Sequence, residues 1–201
     1  MVNVISVANQ KGGVGKTTTT INLAASIADR GYRVLIVDID PQGNATSGLG
    51  IEKSEIDQDI YNVLIDEVPL KETIHHTSTK KLDIVPATIN LSGAETELIS
   101  MMARETRLKS AIDTVNDDYD FIFVDCPPSL GQLSINAFTA SDSILIPVQS
   151  EYYAMEGLSQ LLNTIRLVQK HFNKDLGVEG VLLTMLDART NLGAEVVKEV
   201  Q

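Results

Sequence analysis

The chain has 201 residues, 43% of them hydrophobic and 21% charged, a size and balance that build a core without covalent staples. Its 27 acidic and 16 basic side chains leave a net charge of −11, which excludes broad electrostatic wrapping of a polyanion and allows only a local basic patch. The single cysteine, Cys126, excludes an internal disulfide framework and fits a reducing cytoplasm, and no apolar run reaches the roughly 18 residues of a membrane span.

Val2–Ala8 reads as a buried strand. It runs into Asn9-Gln-Lys-Gly-Gly-Val-Gly-Lys-Thr-Thr18 and then into a helical pattern over Thr17–Arg30. Strand, glycine-rich loop and helix in that order form a cradle for a nucleotide triphosphate. Gly12, Gly13 and Gly15, with Val14 between them, let the backbone turn its N–H groups toward polyphosphate oxygens, and the helix start through Thr18 adds its positive end. Lys16 brings a cation to the outer phosphates, and the Thr17 hydroxyl is placed to ligate Mg²⁺. Gln10 replaces the first glycine of the usual phosphate-loop spacing, and a second lysine, Lys11, follows it.

A second strand, Arg33–Asp38, leads into Ile39-Asp-Pro-Gln-Gly-Asn44, and residues 43–59 read as a loop. Helical patterns cover Ile60–Ile65, Leu91–Leu98 and Ser100–Val115, with a strand at Leu82–Pro86. His75-His76 lies in a polar connector with no metal-ligand spacing around it. Asp120–Asp125 is a further strand whose last carboxylate, Asp125, stands where it can hold Mg²⁺ or one of its waters, and Pro127-Pro128 forces the chain out abruptly. Cys126, beside it, has no neighbouring base and reads as a small packing residue.

Leu130–Ala140, Ser143–Val148, Ala154–His171 and Val178–Leu186 continue the alternation, and Leu158, Leu161, Leu162, Ile165 and Val168 form a core stripe. Strands alternating with helices predict an α/β fold: a predominantly parallel, doubly wound sheet flanked by helices, of the P-loop NTPase type. One domain over residues 1–201 is expected. A last helix, Gly193–Val200, stops without a cap, as though the C-terminal portion were cut short.

Lys11-Gly-Gly-Val-Gly-Lys-Thr17 resembles the deviant phosphate loop of the ParA/MinD group of ATPases. Asp38-Ile-Asp-Pro-Gln-Gly-Asn44 resembles the second motif of the ParA/Soj chromosome-partitioning branch. Gly43–Gly50, Pro127–Leu130, Pro147–Tyr153 and Leu183–Thr190 look like segments of the same branch, so the resemblance covers essentially the whole chain.

It implies an ATP- and Mg²⁺-dependent ATPase that switches between monomer and homodimer, with Lys11 reaching the partner subunit's nucleotide. Asp40 would orient the attacking water, and Asp40 and Asp125 would meet the metal through water. The resemblance further implies non-specific binding of double-stranded DNA, with Arg189 in the loop that meets the backbone. It implies slow hydrolysis stimulated by a ParB/Spo0J-type centromere-binding protein, and a cytoplasmic chain that joins the nucleoid in its ATP form. A metabolic kinase or ATP-dependent ligase of the dethiobiotin synthetase kind would need an acceptor pocket. A membrane-positioning ATPase would need a basic amphipathic end that Ala194–Gln201 does not supply, so no stable membrane association is expected.

Overall fold

The computed structural model describes residues 2–149 and 154–185, with the backbone alone for 154–156. Tyr152, Tyr153, Arg189 and the expected helix Gly193–Val200 lie outside the described residues.

Among the described residues, seven strands form one sheet. They are β1 (Asn3–Val7), β2 (Val34–Asp38), β3 (His75–His76), β4 (Leu82–Val85), β5 (Phe121–Asp125), β6 (Ser143–Gln149) and β7 (Gly177–Thr184). Their order is β3-β4-β2-β5-β1-β6-β7. Every neighbouring pair is parallel except the edge pair β3–β4. Helices fill the crossovers: α1 (Lys16–Asp29), α2 (Asn44–Gly48), α3 (Ile60–Ile65), α4 (Leu91–Glu97), α5 (Arg107–Asp113), α6 (Gln132–Ala140) and α7 (Ala154–His171).

The apolar runs of the strands are explained by burial on both faces. Along β2, Val34 and Ile36 join a cluster with Ala24 and Ala28 of α1 and Ala45 of α2. Leu35 and Val37 turn the other way, into a larger cluster with side chains of α3 to α7. All five β2 residues are buried, and each large aliphatic among them contributes about 1.5–3 kcal/mol by leaving water. The stripe on α7 falls as its spacing predicts: Leu158, Leu161, Ile165 and Val168 are buried and Leu162 packs against them.

Three local expectations are revised. The helix read over Ser100–Val115 begins only at Arg107. Ala103 takes a left-handed φ of 51° and Thr106 donates its amide to the Ala103 carbonyl, a turn that breaks a stretch rich in helix formers. Within the expected loop 43–59, the chain forms the five-residue α2 and a turn of 3₁₀ helix at Lys53–Glu55. The connector at His75-His76 is the antiparallel edge strand β3, its His76 Nδ1 lying 2.7 Å from Asp83 Oδ1.

Register decides the site. Val7 of β1, Asp125 of β5 and Asp38 of β2 lie in one row across the sheet. The loops that leave these strands therefore emerge side by side at the carboxyl edge, where open α/β sheets place ligands.

Candidate functional site

The loop from Asn9 to Gly15 joins β1 to α1 with two residues in the left-handed region, Gly13 at φ 77° and Gly15 at φ 89°. Gly15 is the helix N-cap and, with no side chain of its own, makes no cap hydrogen bond, which leaves a helix start able to face an anion. Bonds to two distant strands, β6 and β7, pin this loop. Asn9, 4% exposed, accepts the Lys11 amide at 3.0 Å and donates to the Pro147 carbonyl of β6 at 2.6 Å. Thr184, the last residue of β7, donates its hydroxyl to the Val14 carbonyl at 2.8 Å.

Lys16 is 7% exposed, with its ammonium 3.2 Å from the Lys11 carbonyl that it donates to. Burial pushes its pKa down, against the opposing pull of Asp125, Cys126 and Asp40. An ammonium held this way has lost much of its water and gains from a polyanion beside it. Lys11, half-buried, stands at the start of the loop.

Asp125 is fully buried and receives two hydroxyls one helical turn apart: Thr17 at 2.7 Å and Thr20 at 3.0 Å. Burial pushes its carboxyl up to about 6, with the Thr17 and Thr20 hydroxyls acting the other way. Its row neighbour Asp38 is also fully buried, and burial together with the Asp125 carboxylate raises it to about 7. Asp38 accepts the Thr46 amide at 2.9 Å, the Thr46 hydroxyl at 2.8 Å and the Asp40 amide at 3.2 Å. Asp40, 7% exposed, accepts the Gln42 amide at 2.9 Å and lines a cleft of about 360 Å³ with Gly13, Lys16, Thr18, Gln42 and Pro128. Cys126 is buried, and burial pushes its thiol up, away from reactivity.

The structure thus gathers Gly12, Gly13, Val14, Gly15, Lys16, Thr17 and Thr18 at one turn and brings Asp125 and Asp40 to it; Arg189 lies outside the described residues. The donor set suits a hydrated divalent cation: one hydroxyl and two carboxylates at the same edge, none of them a soft ligand. Residues missed in the sequence include Thr20, Asp38, Asn9, Thr46 and Thr184. Thr20 was legible in principle, since i and i+3 share a helix face. Asp38 carried a signal as the last residue of an apolar strand. Thr184 carried none, because its partner is 170 positions away.

Sheet order, phosphate-type loop and strand-end carboxylate together define a P-loop NTPase fold. A family model described as an AAA domain matches residues 2–178. The sporulation initiation inhibitor protein Soj of Bacillus subtilis is 63% identical over all of this chain and 79% of its own length. The chromosome partitioning protein ParA of Myxococcus xanthus is 54% identical over 98% of this chain and 70% of its own. Among solved structures, cobyrinic acid a,c-diamide synthase from Mycobacterium smegmatis with bound ATP analogue and magnesium superposes with a TM-score of 0.95 at 40% identity. That match spans 100% of this chain and 82% of the other. The chain belongs to the Soj/ParA family of chromosome-partitioning ATPases.

Proposed function

We propose that this chain is an ATP-driven switch for chromosome or plasmid partitioning. ATP and Mg²⁺ bring two copies together, the pair binds duplex DNA without reading its sequence, and slow hydrolysis, quickened by a ParB-type partner, resets it. The observation that carries this reading is the meeting of Asp40, Lys16 and the Thr17–Asp125 pair around one cleft.

In this reading the amides of Gly12 to Thr18 hold the phosphates and Lys16 neutralises charge that develops as the outer phosphoryl departs. Thr17 would hold Mg²⁺ directly, with Asp125 and Asp40 reaching it through water, and the ion would supply electrostatic stabilisation of the phosphate oxygens. Asp40 orients water for in-line attack. Lys11 serves the partner subunit's nucleotide, so association and active-site assembly are one event. The ATP-bound pair works at the nucleoid in the cytoplasm. No helix among the described residues is long and apolar enough to cross a membrane.

A metabolic reading has one observation on its side, the structural likeness to a diamide synthase. The 63% identity to Soj, against 40% to the synthase, favours the switch.

Sizing the protein with ATP, ADP and no nucleotide tests the proposal. Lys16→Ala is expected to lose nucleotide binding altogether. Lys11→Ala is expected to keep ADP binding and lose ATP-dependent pairing, and Asp40→Ala to accumulate as the ATP-bound pair with turnover lowered about 10²-fold. A parent chain that stays monomeric in ATP, or a Lys11→Ala chain that still pairs, would count against the switch.

A further inference from the structure

The turn that carries Asp40 is held at both ends by one carboxylate. Asp38 Oδ1 accepts the Asp40 amide at 3.2 Å, and Asp38 Oδ2 accepts the Thr46 amide at 2.9 Å and the Thr46 hydroxyl at 2.8 Å. The same Thr46 hydroxyl oxygen accepts the Ala87 amide at 2.9 Å, two residues past the end of β4. Thr46, Asp38 and Ala87 are all fully buried, so water does not stand in for a lost bond. Within the turn, the Gln42 amide donates to Asp40 Oδ1 at 2.9 Å and the Gly43 amide to the Asp40 carbonyl at 2.8 Å. From outside it, the Ile39 amide donates to the Asp125 carbonyl of β5 at 3.0 Å and Lys53 Nζ to the Gln42 carbonyl at 2.5 Å. These bonds shape the turn and anchor its start to β5, but none of them joins its far end at Thr46 to β4.

The geometry points to Thr46 as a positioning residue for Asp40: one hydroxyl joins the Asp38 carboxylate to the backbone leaving β4, and so sets the place of residues 40–46 over the cleft. The inference rests on the role given to Asp40 above. Valine has nearly the shape of threonine with neither donor nor acceptor. At position 46 it leaves the Ala87 amide unpaired and removes one of the three donors that hold Asp38. A shift of about 1 Å in a group that orients a reactant costs up to about 10²-fold in rate. The phosphate loop hangs on β1, β6 and β7 through Asn9 and Thr184 and shares none of these bonds. Phosphate binding and water orientation are therefore separable.

The test uses the full chain with MgATP and reads three quantities: single-turnover hydrolysis, affinity for a fluorescent ATP analogue, and the thermal unfolding midpoint. Thr46→Val is expected to slow hydrolysis about tenfold or more while its ATP affinity stays within about threefold of the parent. Thr46→Ser, which keeps the hydroxyl, is expected to hydrolyse within about twofold of the parent. Parental turnover in Thr46→Val, or a Thr46→Ser chain as slow as Thr46→Val, overturns the inference. If Thr46→Val fails to fold, Thr46→Ala is read in its place. Loss of fold in both assigns Thr46 to the core alone and overturns the role. A parent chain that binds ATP and never hydrolyses it overturns the catalytic reading of Asp40, and the positioning role with it. Slow Asp40→Ala beside unimpaired Thr46→Val removes the positioning role alone.

Discussion

Two buried carboxyls stand side by side where β2 and β5 end, and their protons link the site to stability. Asp38 is raised from 3.8 to about 7 by burial and by Asp125, and Asp125 is raised to about 6 by burial. In the unfolded chain both return to ordinary values. Between pH 4 and 7 the folded chain therefore holds more protons than the unfolded one, so stability falls as pH rises through that window. The contribution is fully present below the unfolded pKa and is gone above the folded one. Asp38→Asn cannot titrate. In the nucleotide-free protein its denaturant midpoint is expected to fall less than the parent's between pH 5 and 8. An equal or steeper fall in the variant would show that this carboxyl is not the source. A cation held near Asp125 would favour the ionised form that burial opposes.

At the scale of elements, the segment from β2 to α2 is where local rule and tertiary demand meet most tightly. Gly43 takes φ 56°, and a Cβ placed on it would lie 2.5 Å from the Ala87 carbonyl oxygen and 2.7 Å from Lys53 Cε. The lysine can move away; the backbone oxygen cannot do so cheaply. Gly43→Ala is therefore expected to lose about 1–2 kcal/mol from the left-handed conformation alone, with more from displacing the loop. Urea unfolding measures the loss, and a midpoint equal to the parent's would mean the segment yields freely. The contrast with the phosphate loop is instructive. Gly12 and Gly13 have open space around a built Cβ, so the room there faces the cleft rather than packed protein. Glu95 of α4 adds a second tie at this edge, accepting the Gln132 amide at 2.7 Å and so capping α6 after the proline-rich turn that follows Asp125.

For the whole molecule, net charge and function pull in opposite directions. A chain of charge −11 repels a polyanion at long range, so the proposed association with DNA must depend on a local basic patch and on doubling that patch by pairing. Binding to duplex DNA is expected only with ATP, equally for unrelated sequences, and with an affinity that falls steeply between about 50 and 200 mM salt. Fluorescence anisotropy with two unrelated duplexes measures all three features. Binding of the nucleotide-free monomer, or a strong preference for one duplex, would count against the partitioning mode. Arg189→Ala extends the test, with a uniform loss of affinity across sequences and unchanged ATP binding as the expected outcome.

Local chemistry by itself determined the strand–glycine–helix order of the phosphate loop, because backbone approach, a cation and a hydroxyl must fall at fixed short spacings. It also determined the alternation of apolar runs that makes a parallel sheet, and the position of Asp125 at a strand end. Helix α7 was legible for the same reason: its apolar spacing and its burial share one period. Only the tertiary structure decided what registers across strands. The row Val7–Asp125–Asp38, the double hydroxyl on Asp125, the Asp38–Thr46–Ala87 chain and the Thr184 tie to Val14 join residues far apart in sequence. Their physical cause is burial. Taken out of water at the sheet edge, each carboxylate, hydroxyl and amide must find a partner, and the partner is whichever group the neighbouring strand brings within reach.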